Sequence, residues 1–476
     1  MGEEKVHPHP DSISRNEEDS EIGSYLLISF LIGILVVPIV NYGRKEESDI
    51  GAVDIVIGIN ITVRLVGAMA LVFAFVSIYH REMEWISGKC SSLVIKTKLG
   101  FLLVFGLAKI IFIVIYVTFY LKCREMISSE LTNVIAAEGF TNIFFIILQL
   151  IFFMYVGQYS FISRPTVRYV SSLIAMGNFT DLLVFMTLSV NGNKDLIFDK
   201  NNTATVNCTG YSPNVVENLI SVSNEFRAPI GVQFSILAIT LAFSMKPDTE
   251  NLFNNSDKLC LQFSWKTPKC LVKIIIVAVI INVPLLVCAP FKLVFPDSKT
   301  QSLIWLSLVY TQKTAIFACL LGINYKIFKK LKLRIKNVAL NANETVLLVS
   351  TVGVVSYLAI QMFYQEEING LLTSIASISL LSILYQVTII LFGRRMILIG
   401  NEISDIHVIQ QLVVILVCSN ISVWFNDFLY GLWDMANDNV LRDSLFKYIA
   451  MILYPLIAYY RFQSAMELME LYRHIS

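Results

Sequence analysis

The chain has 476 residues, of which 55% are hydrophobic and only 15% charged, with a mean hydropathy of +0.66. A soluble protein of this length would carry about 25% charged residues. The formal net charge of +1 points to no nucleic-acid partner, because the charges follow membrane topology rather than forming a patch.

Residues 1–22 are polar and acidic (Glu3, Glu4, Asp11, Glu17, Glu18, Asp19, Glu21) and read as a disordered cytosolic tail rather than a cleavable signal. A window of about 19 residues then finds about twelve apolar spans. In chain order they lie near 24–42, 52–79, 97–121, 134–157, 168–190 and 229–245. After a polar stretch at 246–270, the others fall near 271–295, 302–325, 345–364, 370–393, 407–429 and 445–471. Hydrocarbon satisfies no backbone amide, so each span is expected to be a helix. Long apolar runs without alternation exclude a barrel. The expected fold is an all-α integral membrane protein with two six-helix domains, 23–245 and 271–476, joined by a cytosolic linker at 246–270.

Charge orients the spans. With the N-terminus inside, cytoplasmic loops hold roughly 18 Lys and Arg against 10 outside, which places both termini in the cytosol. The sequons at Asn201 and Asn207 fall in the longest outward loop, as N-glycosylation requires. Cys123 and Cys208 alone face the oxidising side, which allows one disulfide between them. Multi-pass insertion in the plasma membrane is the expected localisation.

The two halves share an order of polar residues. Lone glutamines, Gln149 and Gln386, stand in the fourth and tenth spans, and asparagines, Asn178 and Asn420, in the fifth and eleventh. Pro229 and Pro455 begin the sixth and twelfth, followed by Phe234-Ser235 and by Phe462 with Ser464. The recurrence points to a duplicated six-helix unit, common among transport proteins.

Several segments carry a family resemblance. Tyr454-Pro455 followed by Tyr459-Tyr460-Arg461-Phe462-Gln463-Ser464 resembles the last helix of the otopetrins, a family of membrane proton channels. Arg168-Tyr169 with Asn178 is similar to their fifth helix, and Pro229 with Gln233-Phe234-Ser235-Ile236 and Met245-Lys246 to their sixth. Tyr385-Gln386-Val387-Thr388 running to Arg394-Arg395 is similar to the tenth, Cys418-Ser419-Asn420 with Trp424 to the eleventh, and Gly106-Leu107-Ala108-Lys109 more weakly to the third. The resemblance implies a homodimer of subunits with two six-helix domains each. It also implies proton-selective conduction opened by extracellular acid, no cofactor, inhibition by extracellular zinc, and room for membrane lipids and a sterol. The chain departs from the family pattern at three places: Gln233 replaces a glutamate, Gln463 a histidine and Leu173 another histidine.

A proton path needs ordered water, polar anchors and usually a titratable group. The candidates are Gln149, Asn178, Asp181, Gln233, Gln386, Asn420, Arg461 and Gln463, any amide among which can instead be plain helix–helix glue. Asp181, a carboxylate inside a span, demands a partner, a proton or water, and is the candidate relay. Lys109 is its candidate partner. Glu138 and Asp427 are placed to sense external pH, while Arg64, Lys109, Lys313 and Arg394 read as structural charges. No set of metal ligands is expected. The run Lys326–Lys336 reads as a positive-inside determinant, with phosphoinositide contact as its alternative.

Rival classes are weaker. A proton-coupled secondary transporter shares the two-half layout, but Pro38, Pro284 and Pro290 are isolated rather than marking a pair of broken helices. A non-conducting otopetrin paralogue is the other alternative. An enzyme is not expected, because no membrane segment holds a His-containing catalytic cluster and no loop is long enough for a soluble catalytic domain.

Overall fold

The computed structural model describes residues 50–80, 86–89, 93–122, 129–157, 159–161, 165–190, 230–243, 272, 274–284, 299–330, 332–335, 342–364, 370–393, 396–399, 403–437 and 444–475. The chain divides into two compact units, Met1–Cys260 and Leu261–Ser476, and the division falls inside the polar stretch 246–270. The first expected span, 24–42, lies outside the described residues.

In the first unit, α1 (Ile50–His80) leads into strand β1 (Ile86–Lys89), then α2 (Leu93–Lys122) and α3 (Ser129–Val156). Strand β2 (Tyr159–Phe161), α4 (Pro165–Val190) and α5 (Ile230–Phe243) follow. In the second unit, α6 (Ile274–Pro284) precedes α7 (Lys299–Lys330), β3 (Lys332–Ile335), α8 (Ala342–Tyr364) and α9 (Gly370–Gly393). Strand β4 (Met396–Ile399), α10 (Ile403–Asn437) and α11 (Ser444–Ile475) complete it.

Among the described residues, six helices are long and apolar enough to cross a membrane: α1, α2, α3, α7, α9 and α10. Their outer faces stay apolar and exposed, as at Met69, Phe73, Ile111, Phe144, Leu321 and Leu384. Apolar residues turned outward on every such helix are what a lipid solvent permits and water does not. The protein is therefore an all-α, multi-pass membrane protein.

Each unit also carries a small antiparallel ladder. Strand β1 pairs with β2, and β3 with β4, the latter in the register Lys332↔Ile399 to Ile335↔Met396. The order helix–strand–helix–helix–strand–helix therefore occurs twice, in α1–β1–α2–α3–β2–α4 and in α7–β3–α8–α9–β4–α10. Packing repeats as well. Helix α1 lies on α3 and α4, as α7 lies on α9 and α10, and α2 lies on α3 as α8 lies on α9. The internal repeat thus extends to connection order and helix neighbours.

Close helix approach in the first unit depends on small residues around one ring. Phe145 on α3 reaches Gly67 on α1 and Gly177 on α4, and a Cβ built at Gly177 would sit 2.6 Å from the Phe145 ring. Without a hydrophobic drive between helices in lipid, such contacts supply the attraction. Gly177→Ala is expected to cost about 1–3 kcal/mol by overpacking. The check is thermal unfolding in detergent, where an unchanged midpoint would mean that Phe145 rotates away freely.

Candidate functional site

Arg64, fifteenth residue of a 31-residue helix, is the organising cation of the first unit. It is 3% exposed. Its Nε donates to Asp181 Oδ1 at 2.8 Å, its Nη2 donates to the same oxygen, and its Nη1 donates to Glu138 Oε1 at 2.7 Å. Lys109 Nζ donates to the other oxygen, Asp181 Oδ2, at 2.7 Å. Helices α1, α2, α3 and α4 thus each give one charged group to a single buried cluster. Two cations face two carboxylates, so the cluster sums to zero. Low local dielectric strengthens each pairing and makes any unpaired member expensive.

Helix α5 joins this cluster from one side. Lys109 Nζ lies 5.0 Å from the centroid of the Phe234 ring and 3.5 Å from Ser235 Oγ. Ser171 donates to the carbonyl of Ala242, tying α4 to α5. Asn178, one turn from Asp181 on α4, is fully buried and donates to the Ile174 carbonyl at 2.9 Å, leaving its Oδ1 without a partner. Gln149 on α3 and Gln233 on α5 are also buried, and both ends of each amide lack a partner.

The second unit treats the corresponding amides differently. Gln386 and Asn420 are fully buried and clasp each other: Gln386 Nε2 donates to Asn420 Oδ1 at 3.2 Å, and Asn420 Nδ2 to Gln386 Oε1 at 3.1 Å. Asn420 Nδ2 also donates to the Leu416 carbonyl at 2.8 Å. A second chain links Gln312 Nε2 to Asn282 Oδ1 at 2.5 Å and Asn282 Nδ2 to Ser419 Oγ at 3.3 Å. Helix α11 carries a third chain along one face, where Tyr459 donates to Gln463 Oε1 at 3.0 Å and Gln463 Nε2 donates to Glu467 Oε1 at 2.7 Å.

The remaining expected residues are placed as follows. Arg461 is 5% exposed, lies over the Tyr460 ring with its guanidinium carbon 5.3 Å from the centroid, and leaves its Nε without a partner. Lys313 is buried on α7, within electrostatic reach of Arg461 and Asp427. Glu138 is 20% exposed and bound to Arg64. Lys326, Lys329 and Lys330 end α7, and Lys332 and Arg334 belong to β3. Arg394, Lys336, Asn201, Asn207, Cys123 and Cys208 lie outside the described residues. Among the described residues no group of three His, Cys, Asp or Glu is placed to hold a metal ion.

Sequence reasoning passed over several buried polar residues. Asn60, Asn282, Gln312 and Glu467 are 0–3% exposed. Helical spacing was the available signal: Asn60 precedes Arg64 by one turn, and Glu467 follows Gln463 by one turn, inside the last apolar span. No protein-family model and no curated protein matches the chain.

Proposed function

We propose that the chain is a proton channel of the plasma membrane, similar to the otopetrins. In this reading twelve spans form two six-helix domains, both termini are cytosolic, and the subunit forms a homodimer. Asn201 and Asn207 carry glycans, Cys123 and Cys208 are free to pair outside, and external zinc inhibits.

One observation carries most weight. A fully buried glutamine on the third helix of each described repeat and a fully buried asparagine on the fourth stand among helices whose other faces are lipid-like. Buried amides are costly in hydrocarbon unless they pair or hold water. Amides order water without binding the charge they pass, so a hydrogen-bonded file can relay a proton past them. A bare metal cation would have to replace its hydration shell. Asp181 and Glu138 offer little to such a cation, since Arg64 and Lys109 already occupy them.

Charge also supports the reading. The four-group cluster carries no net charge that would repel a proton, whereas an isolated arginine there would. The proton-coupled transporter remains the second reading, because an ion cluster spanning four helices can also exchange partners during a rocking cycle.

Purified protein in liposomes with a pH-sensitive dye inside, a potassium gradient and valinomycin provides the test. Acidification of the interior that follows the proton gradient, with sodium replaced by an impermeant cation, is the expected result. Flux that requires a second solute would favour the transporter. No flux from folded, oriented protein would remove both.

A further inference from the structure

We propose that the first unit, and not the second, holds the water-filled polar passage, centred on Gln149, Asn178 and Gln233. The assignment of protons to that passage rests on the channel reading above; the hydration itself does not.

The argument is a comparison of equivalent positions. Gln149 stands ten residues before β2, and Gln386 stands ten residues before β4. Asn178 is on α4 and Asn420 on α10, the helices that follow those strands. In the second unit these two residues satisfy one another with reciprocal bonds of 3.1 and 3.2 Å. In the first unit they do not meet. Gln149 Oε1 and Nε2 and Asn178 Oδ1 have no partner, and Gln233 Oε1 and Nε2 have none either. Five unpartnered polar atoms on three fully or almost fully buried side chains call for a physical explanation.

Among the described residues no protein partner meets these atoms, which leaves water to satisfy them. Buried water makes about three hydrogen bonds and settles where several polar groups converge. Asn178 is one turn from Asp181, and Gln233 adjoins Phe234, whose ring lies against Lys109. Asn178 and Gln233 therefore lie on the stretches of α4 and α5 that also carry members or neighbours of the charged cluster, while Gln149 stands about three turns from Glu138 along α3. The second unit has unpartnered atoms as well, including Gln312 Oε1, Asn426 Oδ1 and Arg461 Nε. Its Gln312, Gln386, Asn420 and Gln463, however, each bond to another side chain, so none of these amides is left empty at both ends. The Gln386–Asn420 clasp engages both ends of each amide, which the first unit's Gln149 and Gln233 leave without a partner.

The full-length protein in lipid nanodiscs is exposed to radiolytic hydroxyl radicals, which form from bound water and mark the side chains beside it. Oxidation of Phe145, Leu150 and Phe234 is compared with that of Ile383, Val387 and Leu416, after correction for intrinsic reactivity. All six are buried. The proposal expects the first set to react at least about fivefold faster. Equal rates, or faster reaction of the second set, would overturn it.

Gln149→Leu in liposomes is the second arm, with Gln233→Leu as the substitute if the first does not fold. Proton uptake is expected to fall at least about tenfold together with oxidation of Phe145. Unchanged uptake from a folded variant would overturn the route even if the first unit is wet. If the wild type carries no protons at all, the channel reading falls while the footprint still decides which unit is hydrated.

Discussion

Asp181→Asn is expected to destabilise the protein by about 3–5 kcal/mol, the cost of stranding buried charge when one partner is removed. Asp181 accepts from Arg64 through two nitrogens and from Lys109 through a third, and its side chain is only 7% exposed. An asparagine keeps the shape but leaves two cations facing Glu138 alone. At an effective dielectric near 20, each lost contact at about 4 Å removes about 4 kcal/mol of attraction, part of which water entry returns. The double variant Asp181→Asn with Lys109→Met restores neutrality, leaving Arg64 with Glu138 at 2.7 Å. Methionine also keeps a favourable contact with the Phe234 ring that Lys109 now overlies. The double variant should therefore recover most of the lost stability, a large coupling in the double-mutant cycle.

Thermal unfolding of all four forms in detergent measures that coupling. A single variant as stable as the wild type would mean that the cations are hydrated and the cluster is no tie. Proton uptake by the same set then separates two roles for Asp181. If the double variant conducts, Asp181 works as a charge tie; if it folds but stays silent, Asp181 is the relay that its position in the fifth span first suggested.

The helices were legible because length and apolarity determine them directly. The span read at 407–429 belongs to a helix running Ile403–Asn437, and that at 302–325 to one running Lys299–Lys330. Hydropathy marks the hydrocarbon segment, while the helix continues past it into polar ends such as Lys326–Lys330. The ladders were not legible. Ile86-Ser-Gly-Lys89 is too short to show a period, and Met396-Ile-Leu-Ile399 reads as the tail of an apolar span.

Site residues show the same division. An intramembrane Arg64, Lys109 or Asp181 is conspicuous by its cost alone. The cost of a lone buried carboxylate was enough to make Lys109, 72 residues away, the candidate partner of Asp181. The bonds from Arg64 to Asp181, 117 residues apart, and to Glu138 had no local signal. Equivalent glutamines and asparagines were visible as a repeat, yet sequence gave no hint that one pair is clasped and the other open. That difference depends on where helix faces turn within each unit, which a shared polar spelling does not fix.

The clasp itself makes a sharp prediction. Gln386→Leu leaves Asn420 Oδ1 without its donor in a site that is 0% exposed, and Asn420→Leu strands both ends of Gln386. Each single variant is expected to lose about 1–3 kcal/mol, the desolvation cost of an unmet buried group. Removing both amides removes the debt, so Gln386→Leu with Asn420→Leu should lie closer to the wild type than either single variant. In membranes the gain per polar pair is often nearer 0.6 kcal/mol, because the reference state also finds partners. The coupling energy decides between these limits, since it cancels the packing changes common to both arms. A coupling above about 1.5 kcal/mol, read from unfolding midpoints, identifies a dry and mutually satisfied clasp. Additive losses would mean that water already reaches Gln386 and Asn420, and the second unit would then be as wet as the first.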